Sequence, residues 1–376
     1  MVARAVCVWT VLAGAVLTGA APAHAVGPRP ADAAGTVGGP LLAGRGLVLP
    51  PGGPALPPGL IAQSWLVADL DTGEVLGARG PHVPHAPAST LKILTAETLI
   101  PHLDPARAVA PTAGDLSVDG SRVGLVASIR YPIRLLFTAM LVVSGNDAAD
   151  TLADAAGGVP ATVQAMNQEA ARLNALDTRA VNANGLDTPG QVSSAYDLAL
   201  IARAGMAQPD FRRYVATKHS SIPGPRGPIS ISSHDKLLYN YPGTIGIKNG
   251  YTVKAQATFV GAARRGGHTL VVVLLTTHPR YWPEAAALLD WGFAAERVRT
   301  PPVGELVGPG AATAVLEHSP LTNAGMHAGV AAGHVAGRSG GRSAVPTAVL
   351  GGGLLVALAA LLRRRRAVVR RRAALR

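Results

Sequence analysis

The sequence holds one cysteine, Cys7, and it lies inside an apolar run at the N-terminus. Past that run the chain has no thiol for a disulfide, a nucleophile or a Cys-ligated metal. Aromatic residues make up only 4% of the chain, which argues against base-stacking nucleic-acid surfaces. No internal repeat recurs. His82, His85, His219 and His234 fall in loop-like stretches, show no metal-ligand spacing and read as surface residues. Lysine is scarce too: only Lys92, Lys218, Lys236, Lys248 and Lys254 occur, against 29 arginines. Where positive charge alone suffices, this chain uses arginine, which keeps its proton, whereas a buried or crowded lysine can lose one. The lysine kept at Lys92 is therefore a candidate for work that needs an amine.

The formal charge of +12 is a terminal feature. Eight arginines lie in the last fourteen residues, and without them and Arg4 the remainder carries +3. Nucleic acid is thus not an expected partner. Arg4, the apolar run Ala5 to Ala20 and the small-residue site Ala23-His24-Ala25 read as a secretory signal, residues 1–25, cut after Ala25. Residues 26–60, rich in Pro, Gly and Ala, read as a linker. Residues 299–343 read as a second one. Ala344 to Leu362 is uncharged for 19 residues, about 28 Å as a helix, which predicts one transmembrane helix. The arginine-rich tail, 363–376, then places the C-terminus in the cytoplasm and the preceding domain outside, single-pass at the cell membrane.

The folded domain is expected over residues 61–298. Trp65 to Leu70 and Glu74 to Ala78 flank Asp71-Thr72-Gly73, which predicts a β-hairpin. Ile133 to Val143 is apolar nearly all round and reads as a buried helix, ending at Ser144-Gly145-Asn146. Asn146 or Asp147 would then cap a helix starting at Ala148. Ser194 and Asp197 resemble a capping box opening a helix through Ala204. Ala257–Ala263 and Thr269–Thr276 read as strands joined by the turn 264–267, with Lys248-Asn249-Gly250-Tyr251-Thr252 on or beside the strand before them. Pro283 to Arg297 reads as a closing helix.

Ser89 and Lys92 stand three residues apart where a helix begins, so hydroxyl and amine share one face. The positive helix end favours an oxyanion there. Alone this S-x-x-K pair is weak, since about one is expected by chance in a chain of this length. With Ser144 and Asn146, then Lys248, Asn249 and Gly250, it forms a set matching the S-x-x-K, S-D-N and K-T-G signature of penicillin-binding proteins and class A β-lactamases.

Over roughly Ser64 to Arg297 the chain resembles D-alanyl-D-alanine carboxypeptidases, the low-molecular-mass penicillin-binding proteins, in their actinobacterial form. Ala68 to Leu76, Pro87 to Lys92, Ser144 to Ala149, Asn184 to Asp187, Ser194 to Ala199, Lys236 to Leu238 and Tyr241 to Gly243 carry the likeness. The resemblance implies a mixed α/β fold of the β-lactamase and DD-peptidase type: a mainly antiparallel sheet flanked by helices, plus a helical subdomain. It implies that Ser89 attacks the bond between two D-alanines of a peptidoglycan stem peptide and that Lys92 takes its proton. Ser144 would relay that proton to the leaving amine, and Asn146 would orient Lys92 and bind the substrate amide. Lys248 would hold the terminal carboxylate. Asn249, Gly250, Tyr251 and Thr252 would line the groove, with the N–H groups of Ser89 and Tyr251 as oxyanion hole. Penicillins and other β-lactams would acylate the same serine, and no metal or organic cofactor is implied.

Two positions depart from the family pattern. Asn249 stands where threonine is usual, and Asp235 where asparagine is usual. Two other readings stay open. A serine β-lactamase would need a deacylating carboxylate, for which Glu169 is the one glutamate between Ser144 and Lys248. A non-catalytic wall-binding protein would be consistent with Asn249.

Overall fold

The computed structural model describes residues 35–308. The strand sequences carry apolar residues at successive positions, and the structure shows why: the sheet is covered on both faces. Trp65 and Val67 point to one side, into a core with Leu288, Leu289, Trp291 and Phe293. Leu66 and Ala68 point to the other, into a larger core with Leu91, Ile93 and Ile201. The period of two along the strand assigns alternate residues to the two cores.

Six strands form the path of an antiparallel sheet: β1 (Leu47–Val48), β2 (Ser64–Asp69), β3 (Glu74–Arg79), β4 (Thr244–Thr252), β5 (Gln256–Arg265) and β6 (His268–Thr277). Their order is β1-β3-β2-β6-β5-β4, and β7 (Gly304–Glu305) also pairs with β3. The predicted hairpin is β2–β3, and the predicted strand pair after Lys248 is β5–β6. The helix α7 (Trp282–Arg297) covers one face, as the closing helix was expected to. On the other face lie α1 (Lys92–Leu99), α2 (Ile133–Val142), α3 (Asn146–Ala155), α4 (Val159–Arg172), α5 (Ala195–Ala207) and α6 (Pro209–Val215). All eight residues of α1 are buried, so the helix that follows Ser89 is held on every side.

Both expected linkers differ from the structure where it describes them. From residue 35 the chain packs on the domain. Leu42 is fully buried, and Leu49, Leu56 and Leu60 lie against the α7 core. Trp291 Nε1 donates to the Pro54 carbonyl at 3.0 Å. After α7 the chain returns: Val303 N donates to Val75 O at 2.8 Å, and Leu306 N to Gly73 O at 2.7 Å. Together β1 and β7 close the outer edge of β3, which would otherwise present unpaired N–H and C=O groups. Proline-rich composition hid this, because a segment with few N–H donors can still insert spaced leucines. Burying Leu306 alone is worth on the order of 2 kcal/mol.

The expected signal (1–25), the start of the first linker (26–34), most of the second (309–343), the transmembrane run (344–362) and the arginine tail lie outside the described residues. Among the described residues no helix is long and apolar enough to cross a membrane.

Candidate active site

Ser89 sits in a 3-10 turn, Ala88–Leu91, that runs directly into α1. The expected α-helical start is therefore tighter, and in a 3-10 turn residues i and i+3 eclipse. That stacks Lys92 over Ser89, with Lys92 Nζ 3.1 Å from Ser89 Oγ. Ala88, just before, is held at φ 47°, a left-handed conformation that L-residues adopt at a cost. The flanking residues Pro87, Ala88 and Thr90 are buried, while Ser89 is only partly so.

The Lys92 amine has two further partners, Asn146 Oδ1 at 2.7 Å and the carbonyl of Asn184. Both can only accept. A neutral amine gives its two hydrogens to them, which leaves its lone pair facing the Ser89 hydroxyl. Lys92 is fully buried. Its pKa lies well below the ordinary lysine value, first because burial penalises the charge and second because Lys248 is a nearby cation.

Asn146 opens α3, and neither it nor Asp147 caps that helix; the residue before it is Gly145. The capping expectation fails because both side chains have other partners. Asn146 Nδ2 donates to Asp119 O at 2.7 Å. The Asp147 carboxylate accepts the N–H groups of Val123, Gly124 and Leu125 at 2.9–3.1 Å, fixing the loop beside the site. Ser144 is buried at φ 61°, a strained turn at the end of α2. Its hydroxyl makes no hydrogen bond to another described residue.

The third set lies on β4. A Cβ added to Gly250 would come within 2.7 Å of Ser89 N, so only glycine lets this strand run against the nucleophile turn. Tyr251 and Thr252 follow at the strand end, paired with Ala257 and Gln256. Tyr251 is 55% exposed. The Thr252 hydroxyl donates to Asp187 Oδ1 at 2.8 Å, joining the strand to the loop that carries Asn184. Lys248 is fully buried, and its Nζ donates to the Asn249 carbonyl at 2.7 Å and lies 3.5 Å from Asn249 Oδ1. Burial lowers its pKa to about 7 against the opposing pull of the Asp235 carboxylate. Asp235 is itself buried and raised to about 7, with Oδ2 unpartnered.

The structure thus brings Ser89, Lys92, Asn146, Lys248 and Gly250 to one place. It adds residues that the motifs did not announce. Asn184 holds the Lys92 amine with its carbonyl, while its own amide is anchored on Asp150 at 3.0 Å. Asn184 to Asp187 belongs to the stretches that carry the family likeness, but nothing in the sequence gave its carbonyl a role. Thr258 on β5 donates to the Pro87 carbonyl at 2.8 Å, tying the sheet to the nucleophile turn. Glu169 is not placed over Ser89: it binds Arg172 and abuts the buried Glu97. Of the four loop histidines, His219 and His234 are exposed as expected, whereas His82 and His85 are partly buried. His85 bridges Ser64 and Thr276, and His82 bonds Asp177 and the Val37 carbonyl.

A family model described as D-alanyl-D-alanine carboxypeptidase, Peptidase S11, matches residues 54–278. A D-alanyl-D-alanine carboxypeptidase of Mycobacterium tuberculosis is 44% identical over 254 residues, 66% of this chain and 87% of the relative. A crystal structure of a D-alanyl-D-alanine carboxypeptidase from the same organism matches with a TM-score of 0.64 at 43% identity, over 70% of this chain and 99% of that one. The crystal structure of the Streptomyces K15 DD-transpeptidase matches with a TM-score of 0.61 at 26% identity, over 64% of this chain and all of that one.

Proposed function

The chain belongs to the D-alanyl-D-alanine carboxypeptidase family, and we propose that Ser89 is its nucleophile and Lys92 its general base. The observation that carries this is the amine of Lys92, buried, held by two acceptors and 3.1 Å from the serine oxygen. Ser89 Oγ attacks the carbonyl of the penultimate D-alanine as Lys92 takes the hydroxyl proton. The oxyanion forms between the N–H groups of Ser89 and Tyr251, where Gly250 brings strand and turn together. The proton then passes, through Ser144, to the leaving amine of the terminal D-alanine. Water attacks the acyl-enzyme, Lys92 takes its proton, and the shortened peptide and Ser89 are released. Lys248 supplies positive charge for the terminal carboxylate, with Asn249 and Thr252 beside it. Asn146 holds Lys92 and has one amide hydrogen left for the substrate. β-Lactams acylate Ser89 by the same route.

The topology belongs to the same proposal: a leader removed after Ala25, the domain outside the cell, one C-terminal helix over residues 344–362 and a cytoplasmic arginine tail. Its support is the sequence. Protease protection of the tail in sealed membrane vesicles tests it, and a tail digested from outside overturns it.

The main test is a time course of labelling of the full chain by a fluorescent penicillin, read by intact mass, with Ser89→Ala as control. A long-lived adduct that the control lacks is expected. An adduct that vanishes within seconds would favour a β-lactamase, which the position of Glu169 disfavours. No adduct would favour a wall-binding protein.

A further inference from the structure

The strand β4 also borders a second cleft, away from Ser89. Ile245 and Gly250 are five residues apart on β4, roughly 16 Å at strand rise. Gly250 abuts Ser89, whereas Ile245 lines an open cleft of about 670 Å3. Arg203 from α5, Arg212 from α6 and Arg264 from the end of β5 also line it, with one acidic residue, Asp71. Among the described residues the ion-paired arginines are Arg172, Arg213 and Arg265. Arg213 pairs with Asp210 and Arg265 with Asp290. Their immediate neighbours Arg212 and Arg264 line the cleft with no such partner.

Two of the three cleft arginines are held in place without being neutralised. Arg203 donates from Nε to Leu70 O at 3.0 Å and from Nη1 to Leu306 O at 2.9 Å. Arg212 Nη1 donates to the carbonyls of Met206 and Ala207 at 2.6 and 2.9 Å. Neutral acceptors fix the guanidinium groups and leave their charge uncompensated. Arg264 is exposed and has no hydrogen bond from its side chain to a described residue.

We propose that this cleft binds a phosphate-bearing anion. A planar carboxylate is satisfied by one guanidinium fork, whereas the tetrahedral oxygens of a phosphate group accept donors from more than one direction, and a diphosphate also carries charge for several arginines. The cleft also lies near the last described residue, since Arg203 holds Leu306 two residues before it. The sequence beyond contains the apolar run 344–362, so a phospholipid headgroup is one source of such a phosphate and a soluble phosphate the other. The inference is independent of the chemistry at Ser89.

The test uses the full chain in neutral detergent. Calorimetry at low salt measures inorganic pyrophosphate binding, and native mass spectrometry counts phosphatidylglycerol retained against phosphatidylcholine. Arg264→Gln and Arg264→Glu remove or reverse a charge that holds no other described group, and Arg212→Gln is a second, independent variant. Comparison with the unsubstituted chain subtracts binding by the arginine tail. Pyrophosphate binding weakened by about tenfold in the variants supports the site with a soluble ligand. Loss of one retained phosphatidylglycerol in the variants supports it with a lipid headgroup. Hydrolysis of a soluble D-Ala-D-Ala peptide should not change in either case. Binding that is absent, or equal in all variants, overturns the proposal.

Discussion

Two lysines are fully buried in this domain, and their surroundings differ. Lys92 lies under three oxygen atoms, two of which can only accept, with its serine as the third partner. Lys248 leans on the carbonyl of its neighbour Asn249 and faces a buried carboxyl, Asp235. Burial lowers both pKa values. The Lys248 cation lowers Lys92 further, against the opposing pull of Asp150 and Asp147, whereas at Lys248 only the Asp235 carboxylate acts beside burial, and it opposes the drop. The same residue type thus suits the proposed base at one site and the proposed carboxylate-binding cation at the other.

Removing the base should have the largest effect. Lys92→Ala is expected to cut kcat/KM on a D-Ala-D-Ala peptide by between about 10²- and 10⁴-fold. Lys92→Arg should not rescue it, because a guanidinium keeps its proton. Activity within tenfold of the parent in either variant would break the comparison at its first term. Next comes the acceptor that orients the amine: Asn146→Ala should cost about 100-fold, chiefly in kcat, and should slow penicillin acylation in parallel. A pure KM effect would mean that Asn146 acts on substrate alone.

The pH profile separates the two lysines. In the proposed mechanism Lys92 works as the neutral amine, so kcat/KM should rise as pH climbs through its lowered pKa. Lys248 works there as a cation, so kcat/KM should fall as pH climbs past about 7 in the free enzyme. Asp235→Asn removes the group that holds Lys248 up, so the alkaline fall should move to lower pH while the acid limb stays. An unmoved alkaline limb would show that Asp235 does not set the charge of Lys248. The smallest effect is expected at Asn249. Its amide is larger than a threonine hydroxyl and is set differently, and Asn249→Thr should raise kcat/KM by about two- to fivefold. An unchanged or lower value would show that asparagine is fully competent there.

Much of this site was legible beforehand, because its motifs are local. Ser89 and Lys92 share one turn, Ser144 and Asn146 share one loop, and Lys248 to Thr252 share one strand. What escaped were groups that act through the backbone or through a distant partner. The Asn184 carbonyl carries no side-chain signature. Asp147 looked like a helix cap, yet its carboxylate organises a loop more than twenty residues earlier in the chain. Asp235 stood out only as a departure from the family pattern, and it is the fold that buries it in reach of Lys248. The sheet edge was missed for a different reason: composition marks proline-rich segments as linkers, and it does not report that a few leucines are spaced to dock.

The sequence by itself determined which chemical groups are available and which are close along the chain: a serine with a lysine one turn away, a lysine, an asparagine and a glycine in succession, and lysine spent sparingly against abundant arginine. These follow from covalent order and short-range geometry. Only the tertiary structure decided which lysine faces acceptors and which faces a carboxyl, that Gly250 meets Ser89, and that residues at both ends of the domain close one sheet edge. Those outcomes depend on desolvation and on contacts between residues far apart in sequence, which exist only once the two cores have formed around the sheet.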